Sequence, residues 1–123
     1  MAILESGETY VESIYILSLE SDIVRCKDIS EFMGVTRPSV SRAINSLKER
    51  GLVKSGSCGS IKLTEGGLIL AKHVHERHML IARHLMDIGV DEHTAVTDAG
   101  RIERFISDST YDAIKRYLIK KGA

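Results

Sequence analysis

The stretch between Gly34 and Gly51 limits the possible folds more than any other. Val35-Thr36-Arg37-Pro38-Ser39 opens a segment in which Val40, Ala43, Ile44 and Leu47 recur at i, i+3, i+4 and i+7, the period of a helix with one apolar face. Thr36 or Arg37 falls in the N-cap region. Pro38 is tolerated in the first turn because the amide hydrogen it lacks would have no helical acceptor. Ser39, Ser41, Arg42 and Asn45 are left on the outer face, and all can form hydrogen bonds.

The flanking sequence frames that helix. From Glu8 to Leu19, Val11, Ile14, Tyr15 and Leu17 fit helical spacing, and the early glutamates suit the N-terminal end of the helix dipole. Lys27 to Met33 reads as a short second helix with Ile29, Phe32 and Met33 inward, stopped near Gly34. After Gly51 come two short apolar runs, Leu52-Val53 and Ile61-Lys62-Leu63, on either side of Ser55-Gly56-Ser57-Cys58-Gly59-Ser60. That pattern predicts a hairpin with a flexible tip. Helix, short helix, turn, polar-faced helix and hairpin is the order of a winged helix-turn-helix.

The remainder is helical. Thr64-Glu65-Gly66-Gly67 opens a long helix through Met86 that carries Leu68, Ile69, Ala71, Val74, Leu80, Ile81 and Leu85 and ends at Gly89. Two more helices are expected, from about Asp91 to Ile106 and from about Asp108 to Lys121. Val96, Ala99, Ile102, Phe105 and Ile106 exceed what a small winged domain can cover, so a second helical region should bury them, in part against another subunit. The expected fold is therefore mainly α with a small two-stranded hairpin: a winged helix-turn-helix over residues 1–64, then a helical dimerisation domain over residues 65–123.

The formal net charge of zero hides a strong asymmetry. Residues 1–24 hold Glu5, Glu8, Glu12, Glu20 and Asp22 and no lysine or arginine. Residues 25–62 hold eight basic side chains against three acidic ones, a net of +5, which is the local footprint that phosphate binding requires. Arg42 is the best candidate for a base edge, since a guanidinium can bond guanine bidentately. Ser39, Ser41 and Asn45 could assist it. Thr36, Arg37, Pro38, Arg25, Lys27 and Lys62 would sit against the backbone and set register.

Other classes are poorly served. The chain has no glycine-rich phosphate loop, nucleophile elbow or acid-base pair in an expected cleft, so an enzyme is not expected. Cys26 and Cys58 are far apart and form no C-x-x-C pair, and both read as free thiols. His73, His75, His78 and His84 share the long helix. His75-Glu76-Arg77-His78, however, has two intervening residues where the zincin motif needs three. No run approaches the roughly 18 apolar residues of a membrane span, and Met1 to Gly7 lacks the features of a secretory signal. A cytoplasmic location is expected.

Glu8-Thr9-Tyr10-Val11-Glu12-Ser13-Ile14-Tyr15, Val35-Thr36-Arg37-Pro38-Ser39-Val40-Ser41, Leu63-Thr64-Glu65-Gly66-Gly67, Glu76-Arg77-His78 and Ile102-Glu103 together resemble the DtxR/MntR family of metal-responsive repressors, in its two-domain, manganese-type length. The resemblance implies a homodimeric repressor that reads a palindromic operator on double-stranded DNA and is paired through its C-terminal helices. It also implies Mn²⁺ or Fe²⁺ held between the DNA-binding and dimerisation regions. On the positions that match, Glu12, His78 and Glu103 would be ligands. Thr9, Gly100 and Arg104 stand where the family has Asp, Asn or Met, then Glu or Cys, then His. Two alternatives accompany this reading. One is a metal-independent regulator in which Arg104 replaces the ion by pairing with Glu12 and Glu103. The other is a winged-helix module devoted to protein contacts.

Overall fold

The computed structural model describes residues 7–121. Glu5 and most of the Met1 to Gly7 segment lie outside them. In chain order the elements are α1 (Gly7–Ser18), α2 (Cys26–Met33), α3 (Arg37–Glu49), β1 (Val53–Ser55), a 3-10 turn (Ser57–Gly59), β2 (Ile61–Leu63), α4 (Glu65–Asp87), α5 (Glu92–Phe105) and α6 (Asp108–Lys120). They form two compact units whose boundary falls inside α4, between Val74 and His75.

In the first unit, α1, α2 and α3 pack against one another, and the antiparallel β1-β2 hairpin closes on α1 and α3. The core consists of Tyr10, Val11 and Ile14 from α1, Ile29 from α2, and Val40, Ile44 and Leu47 from α3, joined by Val24, Val53, Ile61 and Ala71. Helix ends are fixed by specific bonds. Asp28 Oδ2 accepts the Arg25 amide at 2.9 Å as α2 begins, and α2 ends at Gly34, whose φ of 70° is the left-handed conformation that favours glycine. Thr36 caps α3, its Oγ1 accepting the Ser39 amide at 3.2 Å.

Thr64 performs the same task for α4 and does more. Its Oγ1 accepts the Gly67 amide at 3.1 Å and donates to the Gly51 carbonyl at 2.7 Å, while its own amide donates to the Leu52 carbonyl at 3.0 Å. The end of α3, the hairpin and the start of α4 are thereby tied at one residue. Gly67 is needed for that approach: a Cβ there would collide with the Leu52 carbonyl oxygen.

In the second unit, Ile81, Ala82, Ala99 and Tyr111 form the buried centre, with Leu80, Leu85, Val96, Ile102 and Ile106 against it. Asp91 and Ser107 cap α5 and α6.

Several expected inward residues lie on the surface. Phe32 is 50% exposed, because Cys26, Ile29 and Met33, at i, i+3 and i+7, form the face of α2 that meets the core. Leu68 and Ile69 are also exposed. Phe105, the last residue of α5, is 63% exposed in the single chain, which leaves it open to the expected contact with another subunit, while Ile106, extended beyond the helix, packs against the core of its own unit. The hairpin tip contains a 3-10 turn and is tied to the N-cap of α2 by a 2.9 Å bond from Arg25 Nε to the Cys58 carbonyl. Neither Cys26 nor Cys58 is in a disulfide.

Candidate nucleic-acid interface and metal donors

The α3 surface is organised as a ladder. Thr36 Oγ1 donates to Ser39 Oγ at 2.9 Å, and Arg42 Nη2 donates to the same oxygen at 3.3 Å. These residues stand at i, i+3 and i+6, along one face of the helix. Ser41, Arg42 and Asn45 are exposed, as are Thr36, Arg37 and Pro38, while Ser39 is half-buried beneath the guanidinium. Short hydroxyls and one anchored arginine therefore face outward, opposite Val40, Ile44 and Leu47, which are buried.

On the hairpin, Lys62 is exposed and pairs across the strands with Lys54. Like charges directly opposite one another destabilise a strand pair unless an anion neutralises them. Lys54 was part of the basic count but was not singled out as a site residue; the pairing register that matters here is invisible until the hairpin is closed. Lys27 is exposed in the first turn of α2. Arg25 is exposed too, but its Nε is committed to the wing tip.

The candidate metal donors are distributed over both units. Glu12 on α1 is buried at 8% exposure in the first. His78 on α4 and Glu103 on α5 belong to the second. Among the described residues, no three His, Cys, Asp or Glu side chains converge as a ligand group. Thr9 is half-buried, and its carbonyl accepts the Ser13 hydroxyl at 2.9 Å. Arg104 is half-buried.

His78 Nε2 lies 2.7 Å from the Val96 carbonyl oxygen. A carbonyl can only accept, so Nε2 carries the proton of this bond. Metal-binding histidines are oriented in this way, one ring nitrogen donating to the protein and the other serving the ion. Gly100 lies against this ring: a Cβ at that position would sit 3.3–3.4 Å from His78 Cε1 and Nε2, a contact that the imidazole would relieve by shifting a few tenths of an ångström. An imidazole and carboxylates are donor types suited to Mn²⁺ or Fe²⁺, and the anchored His78 ring fits that use.

Glu103 has a partner that sequence reasoning missed. Its Oε2 lies 4.0 Å from Arg77 Nε, with side chains 9% and 13% exposed respectively. Arg77 Nη1 also bonds Asp108 Oδ1 at 3.0 Å, and its guanidinium lies 4.4 Å from the centre of the Tyr111 ring. Nothing in the spacing of Arg77 distinguishes it from a surface arginine. Its role depends on how α5 and α6 fold back on α4.

Residues 2–57 match the iron-dependent repressor N-terminal DNA-binding domain, and residues 64–120 match the iron-dependent repressor metal-binding and dimerisation domain. The chain belongs to the iron-dependent repressor family. Its members are transcriptional regulators and not enzymes, and the winged helix-turn-helix followed by a helical dimerisation domain is their architecture. The chain is 32% identical over 116 residues to the transcriptional regulator MntR of Escherichia coli O157:H7, covering 94% of itself and 75% of that protein. It is 34% identical over 110 residues to MntR of Bacillus subtilis, covering 89% of itself and 77% of that protein. Among solved structures, a manganese-dependent transcriptional repressor in complex with manganese superposes with a TM-score of 0.84 at 27% identity. The manganese regulator SloR does so with a TM-score of 0.81 at 29% identity. The chain covers 92% of itself in each match, but only 52% and 53%, about half, of those longer chains. Membership extends through the metal-binding domain, which does not favour the metal-independent alternative built on Arg104. Among the described residues, no helix is long and apolar enough to cross a membrane.

Proposed function

We infer that this chain is a cytoplasmic, homodimeric, metal-responsive transcriptional repressor that binds a palindromic operator. The observation that carries the reading is the match of both family domains, in order, along one chain. Residues 1–64 form the DNA-binding domain and residues 65–123 the dimerisation and metal-binding domain. α3 enters the major groove. Arg42, steadied by Ser39, reads a base edge, preferentially guanine, while Ser41 and Asn45 complete the contact. Arg37, Lys27 and Lys62 neutralise phosphates, Arg25 does so from the wing base, and Thr36 and Pro38 hold the α3 N-terminus against the backbone. Two-fold symmetry places the two α3 helices on half-sites about one helical turn apart.

Mn²⁺ or Fe²⁺ is the effector, with Glu12, His78 and Glu103 as its protein donors. The ion would supply positive charge; His78, whose Nε2 is held by Val96, would serve through its imidazole, and buried Glu12 and half-buried Glu103 through their carboxylates.

Fluorescence anisotropy with DNA from upstream of the gene tests the DNA-binding half of this reading. Affinity should fall steeply as salt rises, and Arg42→Ala should cost roughly 5- to 150-fold, with discrimination lost at one base position. A chain that bound no duplex at low salt, with or without Mn²⁺, would instead be a protein-interaction module.

A further inference from the structure

We propose that Arg77 is the positioning residue for the Glu103 carboxylate and thereby sets the affinity of the site for its divalent cation, an inference that rests on the metal-responsive reading above. Arg77 has three partners on two other helices. Asp108 at the start of α6 binds Nη1 at 3.0 Å, the Tyr111 ring lies 4.4 Å from the guanidinium carbon, and Glu103 of α5 faces Nε at 4.0 Å. A planar guanidinium can satisfy partners in different directions at once, which an ammonium cannot do from one point.

The contacts are unequal in a way that assigns their roles. Asp108 and Tyr111 fix the guanidinium in place and orientation. The Nε–H is buried without a hydrogen-bond partner of its own, and at 4.0 Å the Glu103 oxygen is in ion-pair range but beyond a hydrogen bond. Arg77 therefore acts on Glu103 as a fixed charge that aims the carboxylate without capping its lone pairs. Both side chains are largely withdrawn from water, so screening there is weak. Arg77 directly precedes His78, the imidazole donor, on α4. The same helical turn thus carries one donor and the group that orients another.

Partners behind a metal ligand typically matter about 10- to 100-fold in affinity. The test is calorimetric titration of MnCl₂ into the chelator-treated full chain, comparing wild type, Arg77→Lys and Asp108→Asn, with thermal melts alongside. Arg77→Lys should weaken Mn²⁺ binding about 10- to 100-fold. Asp108→Asn should weaken it less, in the same direction, while melting close to wild type, because the Asp108 side chain is 90% exposed. In a Glu103→Gln background, Arg77→Lys should cost little more, a coupling that a purely structural role would not produce. Wild-type affinity in both single variants would overturn the proposal and leave the metal reading standing. A wild-type chain that bound neither Mn²⁺ nor Fe²⁺ would remove the metal reading, and the proposal with it.

Discussion

Two adjacent glycines should respond to alanine with opposite signs. At Gly67, a Cβ would collide with the Leu52 carbonyl oxygen and sit 2.9 Å from its carbonyl carbon, where ordinary contact needs about 3.5–4.0 Å. The oxygen is nearer still, so backbone must move by roughly 1 Å or more, at an overpacking cost of about 1–3 kcal/mol. The displaced strand also loses the 3.0 Å bond from the Thr64 amide to Leu52, worth about 1 kcal/mol. Against this stands the better helix propensity of alanine, at most about 1 kcal/mol. The net expectation for Gly67→Ala is a loss of about 1–3 kcal/mol. At Gly66 the nearest atom to a new Cβ is Thr64 Oγ1 at 3.9 Å, so Gly66→Ala should be neutral or stabilising by a few tenths of a kcal/mol. Urea unfolding followed by circular dichroism separates the two, with a midpoint for Gly67→Ala lower by on the order of 1 M. Equal midpoints for Gly67→Ala and wild type would refute the close approach of α4 to the hairpin.

Other expectations concern caps, charges and pH. Thr36→Ala removes the acceptor for the Ser39 amide and should cost about 1 kcal/mol in denaturation, with a loss of DNA affinity because the Ser39-Arg42 ladder starts there. Lys54→Ala should weaken binding evenly across DNA sequences and lower the salt slope by about one, read by anisotropy at several salt concentrations. Burial first, and the Glu76 carboxylate second, hold the Tyr111 phenol above its ordinary value of 10.0. The unfolded chain ionises first as pH rises through about 10, so stability present below that pH is lost above it, and the difference between wild type and Tyr111→Phe in urea unfolding should shrink or reverse there. Asp91, accepting the Thr94 amide at the start of α5, is held below its ordinary value of 3.8. Its contribution is present above that value and lost as pH falls through the folded one, a dependence that Asp91→Asn should remove while keeping the cap.

The winged helix-turn-helix was largely legible in the sequence because its determinants are local. The period of Val40, Ala43, Ile44 and Leu47, the Thr36 cap and the glycine stops each act within a few residues, and the polar face of α3 follows from the apolar one. Phe32 falls outside the reach of periodicity, which marks a face but not its edge, on a helix of only two turns. The glycine and serine composition of the wing tip gives no sign of the bond that reaches it from Arg25, 33 residues away. Lys54 opposite Lys62 depends on register, and the contacts of Arg77 depend on three helices meeting. Neither leaves a trace in spacing.

The central claim is that a divalent cation controls DNA binding by this chain, and the measurement that tests it most directly is an anisotropy titration of the chelator-treated protein on its upstream DNA, with and without Mn²⁺ or Fe²⁺. The account predicts affinity raised by about 5- to 150-fold when metal is present, with the increase lost in His78→Ala. Affinity that is the same with metal and with chelator would contradict it.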